Sequence, residues 1–129
     1  MSTALNTAQF GNLLSTALNT SATNLLWLDD KEVGSSLSLK EEEEYSFQCR
    51  VYGARPAATI VWTVNGTVKV ETGRDNGTNT DARLIDSNST LTLTIPEGET
   101  SLSCKATVPA DATGVSDSVT ITATGKFAL

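Results

Sequence analysis

The chain has 129 residues, the size of one compact domain with a short extension. Only 39% are hydrophobic and 19% charged, and hydroxyl side chains fill the gap, with 20 Thr and 13 Ser. No apolar run approaches membrane-spanning length, His is absent and the net charge is −6; these exclude a helical membrane span, His-dependent nucleophilic catalysis, and nucleic acid or anionic lipid held by basic clusters.

Residues 1–24 carry no charged side chain, and the hexapeptide Ser-Thr-Ala-Leu-Asn-Thr stands at 2–7 and again at 15–20. A spacing of 13 residues places the two copies on different faces of a helix, so they build no repeat surface. Phe10, Leu13, Leu14, Ala17 and Leu18 follow helical spacing behind Asn6, a candidate N-cap with Gln9 three residues on. Gly11 and the interspersed threonines weaken that helix. Without a basic start or a continuous apolar core, the segment does not read as a secretory leader. The expectation is a weakly ordered or helical extension over 1–24, a domain over 25–126 and a tail at 127–129.

From Leu25 onward the pattern is β. Leu25, Leu26, Trp27 and Leu28 read as a first strand covering the edge of a sandwich, and Leu37 and Leu39 alternate in the next. The acidic run at 41–44 leads into a strand over 45–52, ended by Gly53 and Pro56. Residues 59–64 form a second strong strand closed by Asn65-Gly66, a favoured hairpin turn because both residues tolerate φ > 0. A short edge strand returns over 67–71, and the turn-rich residues 72–81 are expected to be a mobile loop. Leu84 and Ile85 mark a short strand, and Leu91, Leu93 and Ile95 alternate with Thr92 and Thr94. After Pro96-Glu97-Gly98 come a strand over 101–108, a turn over 109–114, and a last strand marked by Val119, Ile121 and Ala123. Seven or eight short strands without a crossover helix predict an all-β antiparallel sandwich or barrel and rule out a parallel sheet.

The cysteines, Cys49 and Cys104, both sit in alternating segments. Tyr45, Phe47, Cys49 and Val51 share one parity, and Leu102, Cys104, Ala106 and Val108 share another, so both sulfurs are expected on inward faces. One disulfide or two buried thiols would satisfy that pattern; a bridge closing so long a loop adds about 4 kcal/mol by loop-closure entropy. Asn-x-Ser/Thr sequons at Asn19, Asn65, Asn76 and Asn88 lean towards passage through a secretory lumen, with Asn65, Asn76 and Asn88 as the candidate glycosylation sites.

Trp62 falls 13 residues after Cys49 and 42 before Cys104, on the parity of Ile60 and Val64. Cys on the second strand, Trp on the third, Leu-x-Leu on the fifth and Cys on the sixth resemble the immunoglobulin superfamily, over about residues 33–124. The segment from Cys49 through Arg55-Pro56-Ala57 to Ile60 and Trp62 is similar to C2-type domains, such as the second domains of nectin-like, SynCAM-like and nephrin-like adhesion molecules. Leu91-Thr-Leu-Thr-Ile95 and Ser101-Leu-Ser-Cys104-Lys-Ala106 are similar to theirs as well. The resemblance implies an inter-sheet Cys49–Cys104 disulfide against a core of Trp62, Leu93 and Leu102. Two features depart from the family pattern: Leu102 stands where many members carry the tyrosine-corner Tyr, and four glutamates replace the usual acidic-Gly turn before the second strand.

The resemblance implies a non-catalytic extracellular recognition or cell-adhesion module that binds a protein, either a second copy or an unlike partner. The alternatives are a spacer domain of a larger receptor or a soluble secreted immune-type binding protein. The expected contact surface is the hairpin over 59–71 with the strand over 101–108 and the loop that follows it; Tyr52, Arg55, Thr63 and Lys69 are the candidate binding residues. An enzyme is disfavoured because no carboxylate pair stands in a recognisable motif and no base accompanies the Ser and Thr residues. No cofactor or metal is expected. Strand alternation would split the glutamates at 41–44 between two faces, which favours a solvated turn over a calcium site. The run from Asp75 to Asp81 lacks the glycine position and terminal Glu of an EF-hand loop.

Overall fold

The computed structural model describes residues 17–18, 25–78, 83–109 and 111–125. In chain order the strands are β1 (Ala17–Leu18), β2 (Leu26–Leu28), β3 (Lys31–Glu32), β4 (Ser36–Lys40), β5 (Glu44–Arg55), β6 (Thr59–Val64), β7 (Thr67–Lys69), β8 (Gly73–Thr78), β9 (Ile85–Thr94), β10 (Glu99–Val108) and β11 (Asp111–Thr124). One sheet runs β3-β2-β5-β9-β8, with β1 also on β5; the other runs β4-β11-β10-β6-β7. The two sheets face each other as an immunoglobulin-like sandwich, tied by a Cys49–Cys104 disulfide whose Cα atoms lie 6.4 Å apart.

The core follows from alternation. Phe47, Cys49 and Val51 of β5 and Leu91 of β9 point inward from one sheet. Ile60, Trp62 and Val64 of β6, with Leu102, Cys104 and Ala106 of β10, point inward from the other. Leu102, at the position where many members carry Tyr, is fully buried. Leu93 is half-buried and packs on the rim of this core rather than at its centre. Leu25 and Leu26 are buried, and their backbone N–H groups both donate to the Asp117 carboxylate of β11, at 2.9 and 3.1 Å. That carboxylate fastens the start of β2 in one sheet to β11 in the other.

The strand expected to end at Gly53 runs on to Arg55, and the two strands expected at 84–85 and 91–95 are one, Ile85–Thr94. Four further expectations need correction. First, residues 72–81 do not form a loop throughout: Gly73–Thr78 is an edge strand, paired in register with β9 from Thr90↔Gly73 to Ile85↔Thr78. The exposed ladder of β9 overrides the turn propensity of these residues, which an edge strand tolerates because one side faces water. This strand and short β3 carry the count past the seven or eight anticipated. Second, the pairing is antiparallel except for β4 and β11, which run parallel from Thr120↔Ser36 to Thr124↔Lys40. These strands lie near the two ends of the domain, so the whole sandwich serves as their crossover. Third, the turn expected over 109–114 is shorter, since β11 starts at Asp111 and Gly114 lies within it. Fourth, Ala17 and Leu18 are extended rather than helical and pair with Arg55 and Ala54. The rest of the expected helix, the Asn19 sequon and the tail at 127–129 lie outside the described residues.

Two of the turns with positive-φ residues bear on the sequence reading. Asn65 (φ 50°) and Gly66 (φ 82°) build the two-residue link between β6 and β7, as the Asn-Gly pair anticipates. The four-glutamate turn reaches the geometry usual for glycine by placing Glu42 at φ 64°. Its backbone is held by Glu42 N–H donating to Ile95 O at 2.7 Å and Ile95 N–H to Glu43 O at 3.0 Å.

Candidate functional site

The β6–β7 hairpin presents the largest apolar exposure among the described residues. Val61, Val68 and Val70 are 38%, 67% and 86% exposed, and Tyr52 at 48% is the other large hydrophobic side chain in that condition. Trp62 faces the core, so its neighbours Val61 and Thr63 face outward, and Thr63 stands directly opposite Val68. On the other side of β6, Val61 pairs with Lys105 and Thr63 with Ser103 of β10. The outer face thus carries β-branched side chains flanked by Ser103 and Lys105. In a two-residue hairpin the Thr63↔Val68 pair is the one that does not exchange hydrogen bonds, so the Val68 backbone groups point to the open edge.

A polar chain holds this hairpin from behind. The Trp62 indole N–H donates to the buried Ser89 hydroxyl of β9 at 2.8 Å, and that hydroxyl donates to Glu71. Arg74 Nε donates to the Glu71 carboxylate at 3.3 Å, and Arg74 Nη1 donates to Ala58 O at 2.9 Å. One chain of contacts therefore joins the core indole, the exit of β7, the edge strand β8 and the entry of β6. Thr72 N–H then donates to Thr90 O at 2.7 Å, where the chain crosses to the other sheet. These contacts brace the hairpin from behind, and a braced edge suits recognition because less ordering is required on binding.

The outer face of the six-stranded sheet is polar instead. Arg50 lies over the Trp27 ring, 4.3 Å from its centroid, and donates to Asp30 at 2.8 Å and to Gln48. Trp27 is therefore capped rather than an exposed patch. Beside it, Arg50, Tyr52, Asp75, Asp86 and Asn88 line a shallow hollow of about 330 Å³. A bulge at Asp86 shapes its floor: the Asp86 carboxylate accepts the Gly53 N–H at 2.8 Å, with Gly53 at φ 76°. The guanidinium that could bind an anion there is already committed to Asp30 and Gln48.

The four candidate binding residues do not form one surface. Tyr52 and Arg55 belong to β5 in the six-stranded sheet, while Thr63 and Lys69 belong to β6 and β7 in the other. Even the latter two diverge, because Lys69 pairs with inward-facing Trp62 and Thr63 faces out. Only Thr63 joins the valine face. Val61, Val68 and Val70 were legible as β-branched strand residues, but their exposure depends on which sheet edge stays uncovered. Among the described residues, no group of three or more Cys, Asp or Glu side chains is placed to hold a metal.

Residues 29–114 match the family model of the CD80-like C2-set immunoglobulin domain. No curated protein matches the chain. Among solved structures, one titled Rst D1-D2 superposes with a TM-score of 0.66 at 24% identity, over 78% of this chain and 48% of that one. The full ectodomain (Ig1-Ig3) of mouse nectin-like molecule 4 superposes with a TM-score of 0.58 at 16% identity, over 80% of this chain and 33% of that one. The chain thus spans less than half the length of either structure.

Proposed function

The chain belongs to the CD80-like C2-set immunoglobulin domain family, and from that membership we propose that it is a non-catalytic extracellular recognition or adhesion module engaging a protein partner. The single observation behind this reading is the valine face: three of the large exposed hydrophobic side chains sit on one hairpin, braced from within by the Trp62–Ser89–Glu71 contacts. The Cys49–Cys104 bridge supports an oxidising compartment, outside the cell or at its surface. The acidic chain, with a net charge of −6, favours a partner that meets an apolar edge rather than an anionic surface.

A second copy of the chain is the first partner to test. Antiparallel pairing of two β7 edges would satisfy the outward Val68 backbone groups and bring Val68 and Val70 of both copies together. Sedimentation equilibrium at high protein concentration is expected to show dimers, and Val68→Glu with Val70→Glu to abolish them without unfolding the domain. A wild-type chain that stays monomeric throughout would overturn the self-pairing form. It would favour an unlike partner or the spacer reading, the latter supported by the multi-domain make-up of the superposed ectodomain.

A further inference from the structure

The sequons at Asn65, Asn76 and Asn88 are alike in sequence and differ in structure. Asn65 occupies the exposed tip of the β6–β7 hairpin. Its backbone N–H donates to Ser101 O and its Oδ1 accepts the Ser101 N–H, both at 2.8 Å. Those two bonds clamp the residue and use the carbonyl end of its amide, leaving Nδ2 as the end that none of them occupies. A Cβ placed on the adjacent Gly66 would meet nothing within 4 Å, so the space around the tip is open.

Asn88 is the opposite case. It lies in the middle of β9, paired on one side with Arg50 of β5 and on the other with Asp75 of β8. Neighbouring strands are about 5 Å away on both flanks. Its Oδ1 is buried and has no hydrogen-bond partner, and the side chain forms part of the hollow that Arg50 and Tyr52 also line. The side chain is only partly exposed and lies on the sheet between β5 and β8, so a branched sugar there would crowd Arg50 and Tyr52. Asn76 is intermediate: it is exposed on the edge strand β8, but its Oδ1 accepts the Ser87 hydroxyl at 2.7 Å.

We propose that Asn65 is an N-glycosylation site of this domain and that Asn88, despite an identical motif, stays bare. The substrate class is a lipid diphosphate-linked oligosaccharide. Asn65 Nδ2 bonds to the anomeric carbon, the bond from that carbon to the phosphate oxygen breaks, and the amide gives up one proton as the lipid diphosphate leaves. The glycan then extends from the hairpin tip. This inference rests on the extracellular reading above, because the reaction takes place in a secretory lumen.

The test is expression of the full chain behind a secretion leader in a eukaryotic host. Total protein, retained and secreted, is analysed by intact mass before and after an amidase that removes the glycan and converts its Asn to Asp. Ser21→Ala and Thr78→Ala form the background, so that each glycan reports on position 65 or 88. Thr67→Ala and Thr90→Ala then remove the two remaining motifs while keeping both asparagines, which matters at Asn65 because it also holds the turn. One glycan is expected on the background chain, lost entirely in Thr67→Ala and retained in Thr90→Ala. A glycan that survives Thr67→Ala, or a bare background chain, would overturn the assignment. Thiol titration on the same material separates this from the premise: free Cys49 and Cys104 would count against the extracellular reading, whereas an oxidised, bare chain counts against Asn65 alone.

Discussion

The contact between Trp62 and Ser89 offers the sharpest test of how this core is built. Both side chains are fully buried, and the indole N–H has the Ser89 hydroxyl as its acceptor at 2.8 Å. Ser89→Ala leaves that N–H without a partner inside the sandwich, which costs about 1–3 kcal/mol. Trp62→Phe removes the donor and opens a small void, for a loss of about 1–3 kcal/mol. In the double variant no donor remains to be orphaned, so the two single losses should exceed the double loss by about 1 kcal/mol. Urea unfolding followed by far-UV circular dichroism resolves this, since such a coupling displaces the midpoint by roughly half a molar at ordinary m-values. Strict additivity would refute the reasoning, because it would mean that Ser89 is only a small filler beside the indole. A Ser89→Ala variant more stable than the parent would refute it more directly still.

Two further outcomes follow from the same sandwich. Reducing the Cys49–Cys104 bridge, which spans 55 residues, should lower stability by about 4 kcal/mol, read as the midpoint shift between oxidised and reduced urea curves. Gly114→Ala should cost about 2–4 kcal/mol in thermal or urea unfolding, because the glycine sits at φ 61° and an added Cβ would lie 2.0 Å from Ala106 O. A near-neutral result there would mean that the β10–β11 pairing, which shifts register between Ala106 and Val108, can open freely.

Alternation carried a large share of the architecture into the sequence. Cys49, Trp62, Leu102 and Cys104 are all at core positions, and the Asn65-Gly66 turn is where two residues tolerant of positive φ stand side by side. The candidate binding residues were less legible. Tyr52, Arg55, Thr63 and Lys69 are plausible anchors by chemistry, yet a strand's face and sheet are properties of its partners, and these four are divided between two sheets. Ser89 was hidden for the same reason. Nothing in a Ser within Asn-Ser-Thr signals a buried acceptor, because its role depends on an indole 27 positions earlier.

What the chain itself determined was local and periodic: strands, turns, inward parity, a pair of cysteines bracketing a tryptophan. Those features depend on side-chain spacing within a few residues, which any reading of the order of amino acids can follow. Tertiary structure alone decided that residues 73–78 would be a strand rather than a loop, that β4 would lie parallel to β11, and that the valines of β6 and β7 would remain uncovered. Each of these depends on which ladder or face is left free once distant strands have docked, and that information exists only between segments far apart in the chain.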